Sequence, residues 1–538
     1  MILIITTKNH LYKACMKVCG LSAYFPCNGA KMDITTLAYF LFVLLTSIIY
    51  WSVRGRYQWI ILLCFSILFF LINSKPTTII YILFSVLSVY IGTAMLERID
   101  EHKRHIVAIS VVLSNFLILG VLKYSNLVVD AVNLIGFKSG HSGEVLGRVN
   151  LVSPLAISFY TLQIVGYFID CYRGKIKRET NIFKLLLFTC YFPMMISGPI
   201  CRFDDIKPTL YGENKFDYVR VSDGMKRIAL GVLKKFAIGN RVFSIVLVID
   251  TNPEKCGGLY IWLSAIIYSV YLYMDFSGCM DIICGVSRIL GVEIPENFKA
   301  PFFAKSTQEF WRRWHITLGA WLRDYVLDSV LKARGFINFT KLTIKKIGKK
   351  RGRKISVYVS MLSVWICMGI WHGNGWKYVL GEGLWYWFVI VLGMILETKL
   401  IKVRDFLHIN SKMKLWHIFQ VIRTFCVFSV GNLFFKAESL TSAINQIYAS
   451  FSIRGMKMPI SSLITNNKNI NGGMNLSVLI LSLVLVSFID TVIYKEEDIF
   501  ELIAKRKLVS RWCIYTLIIA LIVLSLGTHS EPFAYAQF

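Results

Sequence analysis

No motif of a soluble enzyme occurs in this sequence. A Walker loop, Gly-x-Ser-x-Gly, His-Glu-x-x-His and a dinucleotide fingerprint are all missing, so neither a redox nor a metal enzyme has support. A disulfide framework is missing as well. Of the 13 cysteines, Cys64, Cys190, Cys367, Cys426 and Cys513 lie inside apolar runs, where a free thiol packs as a small hydrophobe. Cys15, Cys19 and Cys27 cluster near the start without the His ligands of a zinc site, and no metal is expected. The first 31 residues lack the apolar core of a signal peptide. They read as an extension outside the fold, or as a mistaken upstream start, with Met32 leading directly into the first apolar run. No internal repeat is visible, which disfavours transporter folds built from inverted halves.

Long apolar runs are what the chain has in quantity. Its residues are 55% hydrophobic and its mean hydropathy is +0.57, well above the range of soluble domains. The runs are 36–53, 59–74, 77–96, 105–124, 151–169, 182–200, 257–276, 356–372, 379–397, 414–435, 476–494 and 511–528. A spanning helix needs roughly 20 mostly apolar residues, so the expectation is about 11 to 13 membrane helices or re-entrant segments. Runs this continuous mean helices and not barrel strands, so the fold class is all-α and polytopic.

The net charge of +28 does not point to nucleic acid, because the cations are gathered in short loops between apolar runs. Arg54 and Arg56 follow the first run, Arg98, Lys103 and Arg104 the third, and Arg173, Lys175, Lys177 and Arg178 the fifth; the turn after the second carries only Lys75. By the positive-inside rule those three loops are cytoplasmic. Segment 125–150 reads as an extracellular loop with partial helix. Met225 to Val248 reads as an amphipathic helix near an interface. Segment 291–355 holds a Pro-Glu-Asn turn, a Trp/Arg-rich helix and the run Lys345, Lys346, Lys349, Lys350, Arg351, Arg353, Lys354, which reads as a solvated loop beside anionic lipid. Attraction of an acidic carrier or of coenzyme A phosphates is the sharper alternative for that run. Residues 453–474 read as an exposed loop.

Ionisable residues at membrane depth are costly, so each is a functional candidate. His372 stands in Met368-Gly369-Ile370-Trp371-His372-Gly373-Asn374-Gly375-Trp376, at the end of an apolar run. The glycines permit close backbone approach, and the tryptophans supply an apolar wall. An uncharged imidazole there can take a proton from a hydroxyl as a nucleophile forms. The plain alternative is a structural His at a helix end. A second constellation runs from Gln308 through Trp311, Arg312, Arg313, Trp314 and His315 to Trp321, Asp324 and Tyr325. Arg312 and Arg313 suit phosphate or carboxylate, while spacing alone favours an interfacial helix with an aromatic belt. A third is Asp275-Phe276-Ser277-Gly278, whose carboxylate needs a partner; Arg312, Arg313 and His315 are the candidates.

These constellations, in this order, resemble the membrane-bound O-acyltransferase (MBOAT) family, in its bacterial branch that modifies alginate and, less closely, teichoic acids. Further motifs in register are Ser158–Gln163, Asp170–Arg173, Phe192–Arg202, Pro295-Glu296-Asn297-Phe298, Gly431–Ala437 and Pro532–Phe538. The last two are similar to the longer, alginate-acetylating type. One departure is that Gly381-Glu382 and Trp385-Tyr386 stand where that type usually has Trp-Gly and a second His-Gly. The resemblance implies an MBOAT core over 32–400 and a transmembrane extension over 401–538. It implies a ring of helices around a central funnel, with His372 at its bottom as catalytic base and His315 as helper. Trp371, Asn374, Asp275, Ser277, Asn297, Arg312, Arg313, Trp314, Asp324 and Tyr325 would line or support the site.

The same resemblance implies O-acylation, most simply O-acetylation, of an exported polysaccharide or cell-envelope glycan. No bound cofactor is implied; the acyl thioester donor, acetyl-CoA or an acyl carrier protein, is a substrate from the cytoplasmic side. An extracytoplasmic SGNH-type acyltransferase partner and membrane lipid complete the expected assembly, in the bacterial cytoplasmic membrane. Rival readings are D-alanyl transfer to teichoic acids on the same scaffold and a membrane transporter without acyl chemistry.

Overall fold

The computed structural model describes residues 32–139, 145–251, 256–373, 375–452, 459, 461–465, 467, 470 and 473–526. The 1–31 extension with its three cysteines, Asn374, much of the 453–474 loop and the Pro532–Phe538 motif lie outside the described residues.

Each apolar run contributes a helix among the described residues, although 182–200 is α-helical only over Ile182–Cys190 and continues as a 3-10 turn and irregular chain. In chain order these and their connecting helices are α1 Leu37–Ser52, α2 Gln58–Asn73, α3 Ile79–Arg98, α4 Glu101–Lys138, α5 Ile157–Tyr172, α6 Ile182–Cys190, α7 Phe203–Leu210, α8 Tyr218–Val232, α9 Asn240–Asp250, α10 Gly258–Ile289, α11 Thr307–Arg313, α12 Ile316–Trp321, α13 Asp328–Lys332, α14 Arg334–Ile347, α15 Lys349–His372, α16 Trp385–Phe406, α17 Lys414–Lys436, α18 Leu440–Ser450, α19 Gly473–Tyr494, α20 Ile499–Ala504 and α21 Leu508–Val523. Turns of π-helix join α8 to α9, follow α12 and precede α16. Among the described residues the one β element is a bridge between Phe298 and Trp314. Among the described residues eight helical stretches are long and apolar enough to cross a membrane, and three shorter apolar ones accompany them. The protein is an all-α, multi-pass membrane protein.

Helix α10 is the one the others pack around: 61% of its apolar window is buried inside the protein, against 28–39% for the other seven spanning candidates. Outer helices instead expose Leu83, Leu87, Ile109, Leu113 and Leu117, an apolar surface suited to lipid. Loops on one face are tied together. Arg104 donates to the Tyr172 carbonyl at 3.5 Å, and Arg178 pairs with Glu97 at 2.5 Å. Arg173 donates to the Asp324 carbonyl and pairs with Asp328. The basic loops after α3 and α5 and the segment leading into α14 therefore share a face.

Three sequence expectations change. Segment 125–150 is not chiefly loop, because α4 continues to Lys138, 38 residues in all. Its polar residues clasp the returning chain: Asn126 and Leu146–Val149 are joined by two bonds at Val149, and Asn133 likewise by two at Leu146. Those asparagines, two turns apart, gave the segment its loop-like polarity.

The stretch Met225–Val248 is not an interfacial helix. Its polar face turns inward, and Lys234 and Lys235 meet Asp281 and Asp275 of α10 at 2.7 and 2.5 Å. Glycines at a spacing of seven let the backbones close up: a Cβ on Gly231 would stand 2.5 Å from the Gly278 carbonyl, and one on Gly224 2.8 Å from that of Gly285. Finally, the Trp/Arg-rich helix is two short helices, broken at Trp314 and His315.

Candidate functional site

The break between α11 and α12 is built locally. Ser306 caps α11 by accepting from the Glu309 N–H at 3.1 Å, and Glu309 accepts from the Lys305 N–H at 2.9 Å. The chain then leaves the helix at Trp314, which bridges to Phe298, while the Lys299 N–H donates to the Arg313 carbonyl. His315 follows in a left-handed conformation, φ 48° and ψ 50°, rare for a residue with a side chain. Asn297 braces this turn. Its side-chain oxygen accepts from the Thr317 N–H at 3.0 Å and the Thr317 hydroxyl at 2.8 Å, and lies 3.4 Å from His315 Nδ1. Its own carbonyl accepts from the Ile316 N–H. Asn297 and His315 are both buried, and burial pushes the His315 imidazole down to about 3. This ring is neutral at ordinary pH.

His372 ends α15 and is 2% exposed. Gly369 lets the segment after the helix fold back against it, since a Cβ there would stand 2.7 Å from the Val379 Cα; a Cβ on Gly373 would strike the Tyr378 ring. The indole of Trp371 is the shared surface, with its ring centroid 5.1 Å from His372 and 5.3 Å from His315, and Phe159 at 5.2 Å. Phe435 of α17 closes the other side of His372 at 5.7 Å, and Phe276 of α10 flanks His315 at 5.0 Å. The two imidazoles, 57 residues apart in sequence, thus meet one aromatic ring.

The other candidates separate. For Asp275, to which the sequence offered Arg312, Arg313 or His315, the ion pair formed is with Lys235, both side chains fully buried. Ser277 is buried two residues along on α10. Arg313 pairs with Glu309 and lies over the Tyr494 ring, while Arg312 is exposed. Trp314 is core, packed on Phe298, Phe310 and Phe428. Asp324 and Tyr325 belong to the basic face: Arg202 pairs with Asp324 at 3.0 Å and stacks on the Tyr325 ring, whose hydroxyl donates to Asp170. Among the described residues no three His, Cys, Asp or Glu side chains converge as a metal site.

Sequence reasoning missed Lys123 of α4. Its ammonium donates to the Trp371 carbonyl at 2.6 Å, and the neighbouring Tyr124 hydroxyl donates to that of Ile370. The signal was a lone lysine at the end of an apolar run. Glu382 was also passed over as a candidate, a fully buried carboxyl in the π-helical turn before α16, between Gly381 and Gly383.

Residues 175–344 match the family model of MBOAT, the membrane-bound O-acyltransferase family. That match takes in Asp275, Asn297 and His315 and ends before His372. The chain is 30% identical to the probable alginate O-acetylase AlgI of Pseudomonas aeruginosa over 69% of this chain and 64% of the relative. It is 26% identical to the peptidoglycan O-acetyltransferase of Helicobacter pylori, over 64% of each. A teichoic acid D-alanyltransferase of Bacillus subtilis is 34% identical over 43% of this chain and 56% of the relative. The chain spans about three fifths of the length of the alginate O-acetylases it matches.

Proposed function

The chain belongs to the membrane-bound O-acyltransferase family, and from that premise we propose that it moves an acyl group, in the first instance acetyl, from a cytoplasmic thioester across the membrane for O-acylation of an exported polysaccharide or envelope glycan. The observation that carries the reading is the pair of buried imidazoles, His372 and His315, against the Trp371 indole. His372 is the base. It takes the proton of an acceptor hydroxyl while that oxygen attacks the thioester carbonyl; the C–O bond forms, the C–S bond breaks, and the proton passes to the departing thiolate. A placed base accounts for roughly 100- to 10,000-fold. Holding the two reactants together, and donors near the developing oxyanion, supply the rest.

His315 orients the reacting groups across the indole, and Asn297 holds His315. Trp371 and Ser277 belong to the wall of a funnel inside a ring of helices, with passages to both aqueous faces. Arg312 and Arg313, with the Asp324–Tyr325 cluster, lie on the donor's route. Trp314 and Asp275 keep the fold around it. The core extends over 32–400, and the 401–538 extension contributes Phe435 to the His372 wall. The donor is acetyl-CoA or an acyl carrier protein, and a separate SGNH-type protein outside completes the transfer.

A second reading, D-alanyl transfer, is favoured by the 34% identity to the Bacillus subtilis protein. Ester-linked acetate and D-alanine in the envelope of a deletion strain separate the two. Loss of acetate alone, restored by the gene, supports acetylation; loss of D-alanine alone supports the second reading. If both are unchanged, acyl transfer is wrong and a transporter is favoured.

A further inference from the structure

The end of a helix leaves its last four carbonyls without intrahelical partners. Helix α15 ends in that situation beside His372. Gly373 leaves it in extended backbone, φ 178° and ψ 175°, and not in the left-handed turn of a glycine cap. Two of its final carbonyls are met from another helix: Lys123 donates to Trp371 and Tyr124 to Ile370. Both donors come from the interior of α4, which runs from Glu101 to Lys138. Lys123 lies 22 residues along α4 (123 − 101) and Trp371 22 residues along α15 (371 − 349). Each helix thus rises about 33 Å to the contact, at about 1.5 Å per residue.

The choice of side chain suits the place. A cation is stabilised at the negative end of a helix dipole, which suits an ammonium that meets no carboxylate among the described residues. Lys123 also lies 5.9 Å from the centre of the Trp371 ring. The carbonyl it grips belongs to the peptide whose nitrogen is that of His372. Rotating that peptide swings the Cα–Cβ bond of His372 and tilts the Trp371 indole shared with His315.

We infer that Lys123, assisted by Tyr124, is a positioning residue that fixes the Trp371–His372 peptide from across the helix interface. The inference rests on the reading of His372 as the base. Lys123 touches no reacting atom; it acts through the imidazole. A misplacement of about 1 Å at a reacting group costs on the order of 100-fold in rate.

The test uses the full chain in the deletion strain. It measures how fast ester-linked acyl groups appear in the envelope after induction, per molecule of chain in the membrane. Lys123→Met, close in shape but without a donor, is expected to fall about 100-fold, and Lys123→Arg, which keeps a cationic donor, to stay within about tenfold of wild type. A purely structural cap predicts less chain in the membrane with an unchanged rate per molecule, and that result overturns the inference. So does Lys123→Arg failing as badly as Lys123→Met while both accumulate normally. Where Lys123→Met does not accumulate, Tyr124→Phe decides: a several-fold loss of rate per molecule supports the positioning role, and an undiminished rate rejects it. His372→Ala in the same assay separates the two layers. Full activity there removes the base reading itself; an inactive His372→Ala beside a fully active Lys123→Met removes only the role of Lys123.

Discussion

His315 is held in a left-handed conformation that costs a residue with a Cβ on the order of 1 kcal/mol, offset by the bonds Asn297 makes around it. The conformation aims a buried, neutral ring at Trp371. Its pH consequence follows by linkage. The unfolded chain takes up a proton at this histidine near the ordinary value of about 6.5, whereas the folded chain resists until about 3. The unfolded state therefore binds more protons between those values, and stability falls as pH drops below about 6.5. Thermal unfolding in detergent at pH 8 and pH 5 is expected to show a larger loss for wild type than for His315→Gln, by about 2 kcal/mol. Equal losses contradict the burial argument. His372 was legible in the sequence because its glycines and tryptophans announce an irregular helix end. The setting of His315 was not, since nothing in Trp-His marks a left-handed residue, and Lys123 was hidden by the apolar run around it.

At the scale of elements, the pairing of α8, its π-turn and α9 with α10 holds the centre together. Lys235 and Asp275 form a fully buried ion pair there, whose desolvation cost rivals its attraction. Removing one partner strands a charge. Lys235→Met is expected to destabilise by about 3–5 kcal/mol, and the double variant Lys235→Met, Asp275→Leu to recover most of that loss. Unfolding midpoints of the purified proteins check this, and a double variant no better than the single one contradicts it. The helical run of this region and its amphipathic pattern were readable from sequence. Which way the polar face turned was not, because a cationic face suits lipid headgroups or buried aspartates equally well. The Gly224–Gly285 and Gly231–Gly278 contacts settle the direction by bringing the backbones together.

For the whole molecule, the apolar runs dictated the helices, while the length of α4 escaped notice because its asparagines serve a clasp and not a loop. The charge asymmetry of the early loops has its counterpart in the contacts that gather Arg104, Arg173 and Arg178 on one face. With that face cytoplasmic, the clasped segment after α4 is outside. A membrane-impermeant maleimide on intact cells is expected to label Arg148→Cys and to reach Lys103→Cys only after permeabilisation; the reverse pattern inverts the topology.

The proposed chemistry of the protein turns on the imidazole at the end of α15. Its most direct test is the envelope content of ester-linked acyl groups in cells carrying His372→Ala at wild-type abundance in the membrane. A fall of about 100-fold or more is predicted. Acylation at the wild-type level would contradict the proposed mechanism.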